Sequence, residues 1–98
     1  MNMSNLMAQA QKMQKDIQKK QEELFAMKFK STNEFVEITL NGDKSLDKVS
    51  IKNKDLDVED LEVLEDMIKL AFNDAISQID KETEKKLGAY SKLANGMF

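Results

Sequence analysis

The sequence predicts an α+β fold in the order helix, three antiparallel strands, helix (α-β-β-β-α), and three observations carry that reading. Apolar residues recur every three or four positions over the first two dozen residues, the spacing of one helix face. Between residues 27 and 53 the spacing drops to two, with Val36, Ile38 and Leu40 alternating with polar side chains. After residue 57 the helical spacing returns and continues to residue 87. The chain's 98 residues make a single domain, near the lower limit for burying an adequate core alone.

The first helix is expected over 4–27, with the Ser4 hydroxyl capping its first turn. Leu6, Ala10, Met13, Ile17, Lys20, Leu24 and Met27 form a narrow seam with a coiled-coil-like period, interrupted by Lys20. Such a helix is ~35 Å long, more than a core of this size covers, so part of it should project. The strands follow within 27–53. Met27 and Phe29 alternate with lysines, "STN" turns the chain, and Asn41–Gly42 offers residues that accept positive φ for a hairpin. Val49 and Ile51 alternate on the return strand. A sheet with one apolar face needs a helix laid across it.

That helix is expected over 57–87, with Asp57 as its cap and Glu59 and Asp60 in the first turn, where the helix dipole favours acids. Leu56 and Leu61 flank the cap at staple spacing. Leu61, Leu64, Ile68, Ala71, Phe72, Ala75, Ile76 and Ile79 supply a face broad enough for the sheet. Val63, Met67 and Leu70 make a smaller stripe that a monomer would leave wet, which marks them as a dimer interface. Gly88 suits a C-cap, and 88–98 are expected as a flexible tail.

Composition excludes more than it specifies. The chain has no cysteine and no histidine, so it lacks thiolate chemistry, disulfides and the commonest general base. "DLDVED" spaces acids like a calcium loop, but Asp60 and Asp66 stand where that loop needs glycine and a bidentate glutamate. No glycine-rich loop opens a helix, and no nucleophile has a base. An enzyme, a cofactor, a metal and a small-molecule substrate are therefore not expected. No apolar run is long enough to span a bilayer and no secretory pattern opens the chain, so a cytoplasmic location and no membrane partner are expected.

Charge is distributed unevenly. Residues 1–30 hold six lysines against three acids, residues 31–80 five against thirteen, and residues 81–98 four against two. All fifteen basic residues are lysine, a point charge suited to phosphates rather than to bidentate reading of base edges. On the first helix Lys12, Lys15 and Lys19 form one stripe, and Gln11, Gln14, Gln18 and Gln21 another. Spacing alone favours an ordinary solvated face for both.

"SNLMAQAQKMQKDIQKKQEEL", "VEITLNG" and "LEVLEDMIKLAFNDA" together resemble the YbaB/EbfC family of bacterial nucleoid-associated proteins, over about residues 4–87. The family usually has a glycine-rich turn where this chain has "KSTNEF", and many members have a longer Gly/Pro/Met-rich tail. The resemblance implies a tweezer-like homodimer with protruding helices, and sequence-tolerant binding of double-stranded DNA on the nucleoid. The DNA-contacting residues expected are Lys12, Lys15, Lys19 and Lys20, with Lys81, Lys85 and Lys86 as weaker contributors. The alternative is a protein–protein adaptor that docks through the projecting helices.

Overall fold

A computed structural model describes residues 2–90. It contains α1 (Met3–Phe25), β1 (Lys28–Thr32), β2 (Val36–Asn41), β3 (Leu46–Ile51) and α2 (Leu61–Leu87), in the predicted order. Short 3-10 turns, Val58–Asp60 and Gly88–Tyr90, flank α2. The expected tail falls partly within that second turn, while 91–98 lie outside the described residues.

The cap of α1 lies two residues earlier than expected. Asn2, not Ser4, supplies it, its side-chain oxygen accepting from the Ser4 amide at 3.1 Å. Asparagine and serine are equally good caps, and the earlier one adds helical residues to the apolar seam. At the other end Ala26 is the C-cap, so the helix stops short of Met27.

The sheet has the order β1-β2-β3, antiparallel throughout. Phe29 opposes Leu40 and Ser31 opposes Ile38, while Val36 and Ile38 oppose Ile51 and Val49. A bulge at Thr39/Leu40 brings Leu46 opposite Leu40. Val36, Ile38 and Leu40 are fully buried under α2, and each such side chain contributes about 1.5–3 kcal/mol through burial. Ala71 and Ala75 on α2 are buried with them, their small side chains letting the helix lie close to the sheet.

Asn33 organises the first hairpin. Its side-chain oxygen accepts from the Phe35 and Val36 amides at 2.9 and 3.0 Å, and its amide donates to the Met67 carbonyl at 3.0 Å. One asparagine thus makes the turn and ties it to α2, a task that needs no glycine here. Beside it, Asp74 accepts from the Ser31 hydroxyl at 2.8 Å and the Gln78 amide at 3.0 Å, and these bonds hold its carboxyl below the usual range.

The second hairpin differs from expectation. Positive φ falls on Lys44 (72°), not on Gly42. Gly42 is required for a different reason: a β-carbon there would lie 1.8 Å from the Leu24 carbonyl oxygen. The loop is pressed against the end of α1, and the Gly42 amide donates to the Met27 carbonyl at 3.0 Å. That contact seats the base of α1 on the sheet.

Two consequences bear on function. First, α2 lies over β1 and β2 and leaves β3 largely uncovered. Leu46 (55% exposed) and Val49 (44%) on β3, with Leu61 (48%) and Phe72 (39%) on α2, remain open to solvent. Leu61 and Phe72 therefore fall outside the covering face predicted for them. Second, α1 continues well beyond the globular part. The described molecule extends 70 Å by 21 by 16 Å, with a radius of gyration of 19.3 Å against about 13 Å for a compact chain of this length.

Candidate nucleic-acid interface

The outer half of α1 is an arm. Residues 3–15 are all exposed, and from Asp16 onward the helix packs against the end of α2, antiparallel to it. Lys12 and Lys15 on the arm and Lys19 at its base lie on one side of α1, as a helical advance of 100° per residue requires. All three are exposed, and among the described residues none pairs with a carboxylate. Gln11, Gln14, Gln18 and Gln21 line a shallow hollow on the adjoining face with Ile17 and Lys15.

Lys20 is placed differently. Its ammonium lies 3.5 Å from Asp16, one turn back, and 5.3 Å from the centre of the Tyr90 ring. These two partners explain how a lysine is tolerated in the apolar seam: the stem packs, and the charge is held at the edge. Lys86 is also engaged, 3.7 Å from Glu23 on α1 and 3.8 Å from Glu82, with its side chain only 22% exposed. Lys81 and Lys85 are exposed on α2. The structure thus gathers Lys12, Lys15 and Lys19 into one open row and leaves Lys81 and Lys85 on a separate element.

Tyr90 is the residue that sequence reasoning missed. The 3-10 turn after α2 carries it back onto α1, where its hydroxyl donates to the Asp16 carboxylate. A signal was present: Ile79, Thr83, Lys86 and Tyr90 continue the helical spacing of the face that packs on α1. The hydrogen bond acts on both partners, raising the Tyr90 phenol and lowering the Asp16 carboxyl from their ordinary ranges. The clamp's contribution is complete below the ordinary phenol value of 10.0 and is lost as pH rises through the higher folded value. At the acid end it is complete above the ordinary carboxylate value and is lost as pH falls through the lowered one. Tyr90 is the sole tyrosine, so near-ultraviolet titration reads it alone. Its midpoint should lie above 10.0 and fall back in Asp16→Asn; an unchanged midpoint in that variant would remove Asp16 as the cause.

Tyr90 and α1 enclose an open hollow of about 450 Å³ against the lysine row, lined also by Gln9 and Met13. A row of unpaired cations on a projecting helix fits a polyanion rather than a small ligand. The family model described as the YbaB/EbfC DNA-binding family matches residues 1–96. The chain belongs to the YbaB/EbfC DNA-binding family. Nucleoid-associated proteins of Streptococcus pyogenes serotype M5 and of Streptococcus equi subsp. zooepidemicus are each 48% identical to it over 93 residues. The matches cover 93% of this chain and 94% of each relative. Membership of the YbaB/EbfC family gives the function in outline, DNA binding by a nucleoid-associated protein. No helix among the described residues is long and apolar enough to cross a membrane.

Proposed function

We propose that this YbaB/EbfC protein acts in the bacterial cytoplasm as a homodimer that binds double-stranded DNA on the nucleoid with little sequence preference. Lys12 and Lys15 on the arm and Lys19 at its base are its principal phosphate contacts. The observation that carries this is the open lysine row on a helix that leaves the globular body. Lys81 and Lys85 add weaker contacts, while Lys20 and Lys86 contribute less because carboxylates already face their ammonium groups. Lysine binds phosphate as a point charge, and without arginine the chain lacks the usual reader of guanine edges. Affinity should therefore depend on salt far more than on sequence. If a dimer engages about four to six phosphates, log affinity should fall with log salt at a slope of about −4 to −5, alike on two unrelated duplexes.

The adaptor reading keeps one observation of its own. Met3, Leu6, Met7 and Met13 are exposed along the arm, an apolar seam that a partner helix could cover. Gel-shift titration of a random duplex at low salt separates the two. Retardation with the slope above supports DNA binding by the arm, and none at tens of micromolar protein favours the adaptor.

The homodimer is proposed from uncovered apolar surface. Hydrogen bonds from Ser31 to Asp74, from Asn33 to the Met67 carbonyl and from Gln78 to the Lys30 carbonyl turn one flank of α2 toward β1. Val63, Met67 and Leu70 lie on that flank, and Leu61 and Phe72 on the opposite one, beside β3. The β3 flank is the broader, because Leu46 and Val49 extend it across the strand. A second copy seated there would cover the edge strand and complete an interface of roughly 1,600 Å². Sedimentation equilibrium of Val49→Glu/Phe72→Glu and of Val63→Glu/Leu70→Glu distinguishes the flanks. The first pair is expected to yield monomer and the second to remain dimeric; the reverse would move the interface to the β1 flank, and a monomeric wild type would remove it.

A further inference from the structure

A row of lysines is sufficient for duplex phosphates, yet at the base of this arm an aromatic side chain stands beside the row. Tyr90 is carried there by the turn that ends α2 and is anchored through its hydroxyl to Asp16. Its ring is partly exposed and borders the hollow whose other walls are Lys12, Lys15, Lys19, Gln9 and Met13. Asp16 is the one negative charge in the hollow, and the Lys20 ammonium offsets it while the Tyr90 hydroxyl donates to it. The hollow is left with three lysines around one carboxylate that Lys20 pairs from outside it.

The parts have distinct chemical uses. An aromatic ring beside a methionine offers a flat apolar surface, which a paired base buried in its stack cannot reach. An unpaired base presents a free face, and stacking on an aromatic side chain is the common way single strands are held. Glutamine offers both a donor and an acceptor to a base edge, so it accommodates any base. Lysines one turn apart along the wall beside the ring are placed for the phosphates that flank such a base.

We propose that this hollow binds an unpaired nucleobase of single-stranded DNA, the base lying against Tyr90 and Met13 while Lys12, Lys15 and Lys19 hold the neighbouring phosphates. The proposal rests on the DNA-binding reading above and extends it from duplex to locally opened DNA. The hydroxyl of Tyr90 positions the ring and the ring meets the base, so the two parts of one side chain have separable roles.

The full chain has one tyrosine and no tryptophan, so its intrinsic fluorescence reports Tyr90 alone. The test titrates wild type, Tyr90→Phe and Tyr90→Leu with an oligothymidylate and with a duplex of matched length at low salt. It follows tyrosine emission in the wild type and the anisotropy of labelled DNA in all three. Oligothymidylate is expected to quench the wild-type emission. Tyr90→Leu should weaken single-strand binding by about tenfold while changing duplex binding less than about twofold. Tyr90→Phe, which keeps the ring, should retain most of the single-strand affinity. Duplex binding without quenching by the single strand overturns this proposal and leaves the duplex reading standing. Equal loss on both DNAs in Tyr90→Leu, or Tyr90→Phe behaving like Tyr90→Leu, overturns it too, because the side chain would then act only as a clamp. Failure of both DNAs to bind overturns the DNA reading itself. If Tyr90→Leu loses its helical circular dichroism, the wild-type quenching decides alone.

Discussion

Changing Lys12, Lys15 and Lys19 together to glutamine is expected to remove most of the salt dependence of duplex binding. With a slope of about −4 to −5, wild-type affinity should drop by roughly 10²–10³ between about 50 and 200 mM salt, and the triple variant's by less than about tenfold. At the lower salt concentration the variant should already bind more weakly than wild type by at least about tenfold. Fold stability should barely change, since these side chains are exposed and glutamine is a comparable helix former. The factors should be similar on unrelated sequences, because phosphate contacts carry no sequence information. Gel shifts across a salt series measure all of this. Unaltered affinity and slope in a well-folded variant would return the stripe to ordinary solvated surface.

The largest effect on stability should come from a single methyl group. In Gly42→Ala the new β-carbon would meet the Leu24 carbonyl oxygen at 1.8 Å and its carbonyl carbon at 2.6 Å. Both are backbone atoms, so relief requires moving the end of α1 off the sheet. A cost of about 3 kcal/mol or more follows, which for a chain of this size lowers Tm by roughly 10–20 °C at a fixed protein concentration. Gly88→Ala is the control, because its β-carbon would meet the far end of the flexible Glu84 side chain, at 2.8 Å. That variant should melt within a few degrees of wild type, or about 3 °C. Equal melting temperatures for the two variants would contradict the seating of α1 through Gly42.

The elements were legible in the sequence because each depends on a period that the chain repeats. Val36, Ile38 and Leu40 alternate and are buried; Leu64, Ala71, Ala75 and Ile79 share one helical face and are buried. What escaped the sequence depends on contacts between distant residues. The pair Asn41–Gly42 was legible as a turn, but positive φ and close approach both call for glycine, and only packing against Leu24 separates them. The Asp16–Lys20 and Glu82–Lys86 ion pairs lie one turn apart and can be read locally, whereas Glu23 and Tyr90 reach their partners only through the antiparallel packing of α1 and α2. Two of the expected DNA contacts, Lys20 and Lys86, are engaged for that reason. The exposure of Leu61 and Phe72 has the same origin, since their face is broader than the part of the sheet that α2 covers.

Whether DNA meets the lysine face of the arm can be tested without relying on losses of affinity. The chain has no cysteine, so one can be introduced at a chosen position and loaded with an iron chelate that cuts nearby DNA. Ala8→Cys puts the probe on the exposed arm beside the lysine row, and Val58→Cys puts it in the acidic stretch before α2, at a residue that is 83% exposed. With a bound random duplex, cleavage is expected from position 8 and not from position 58. Cleavage from position 58 with none from position 8 would contradict the account.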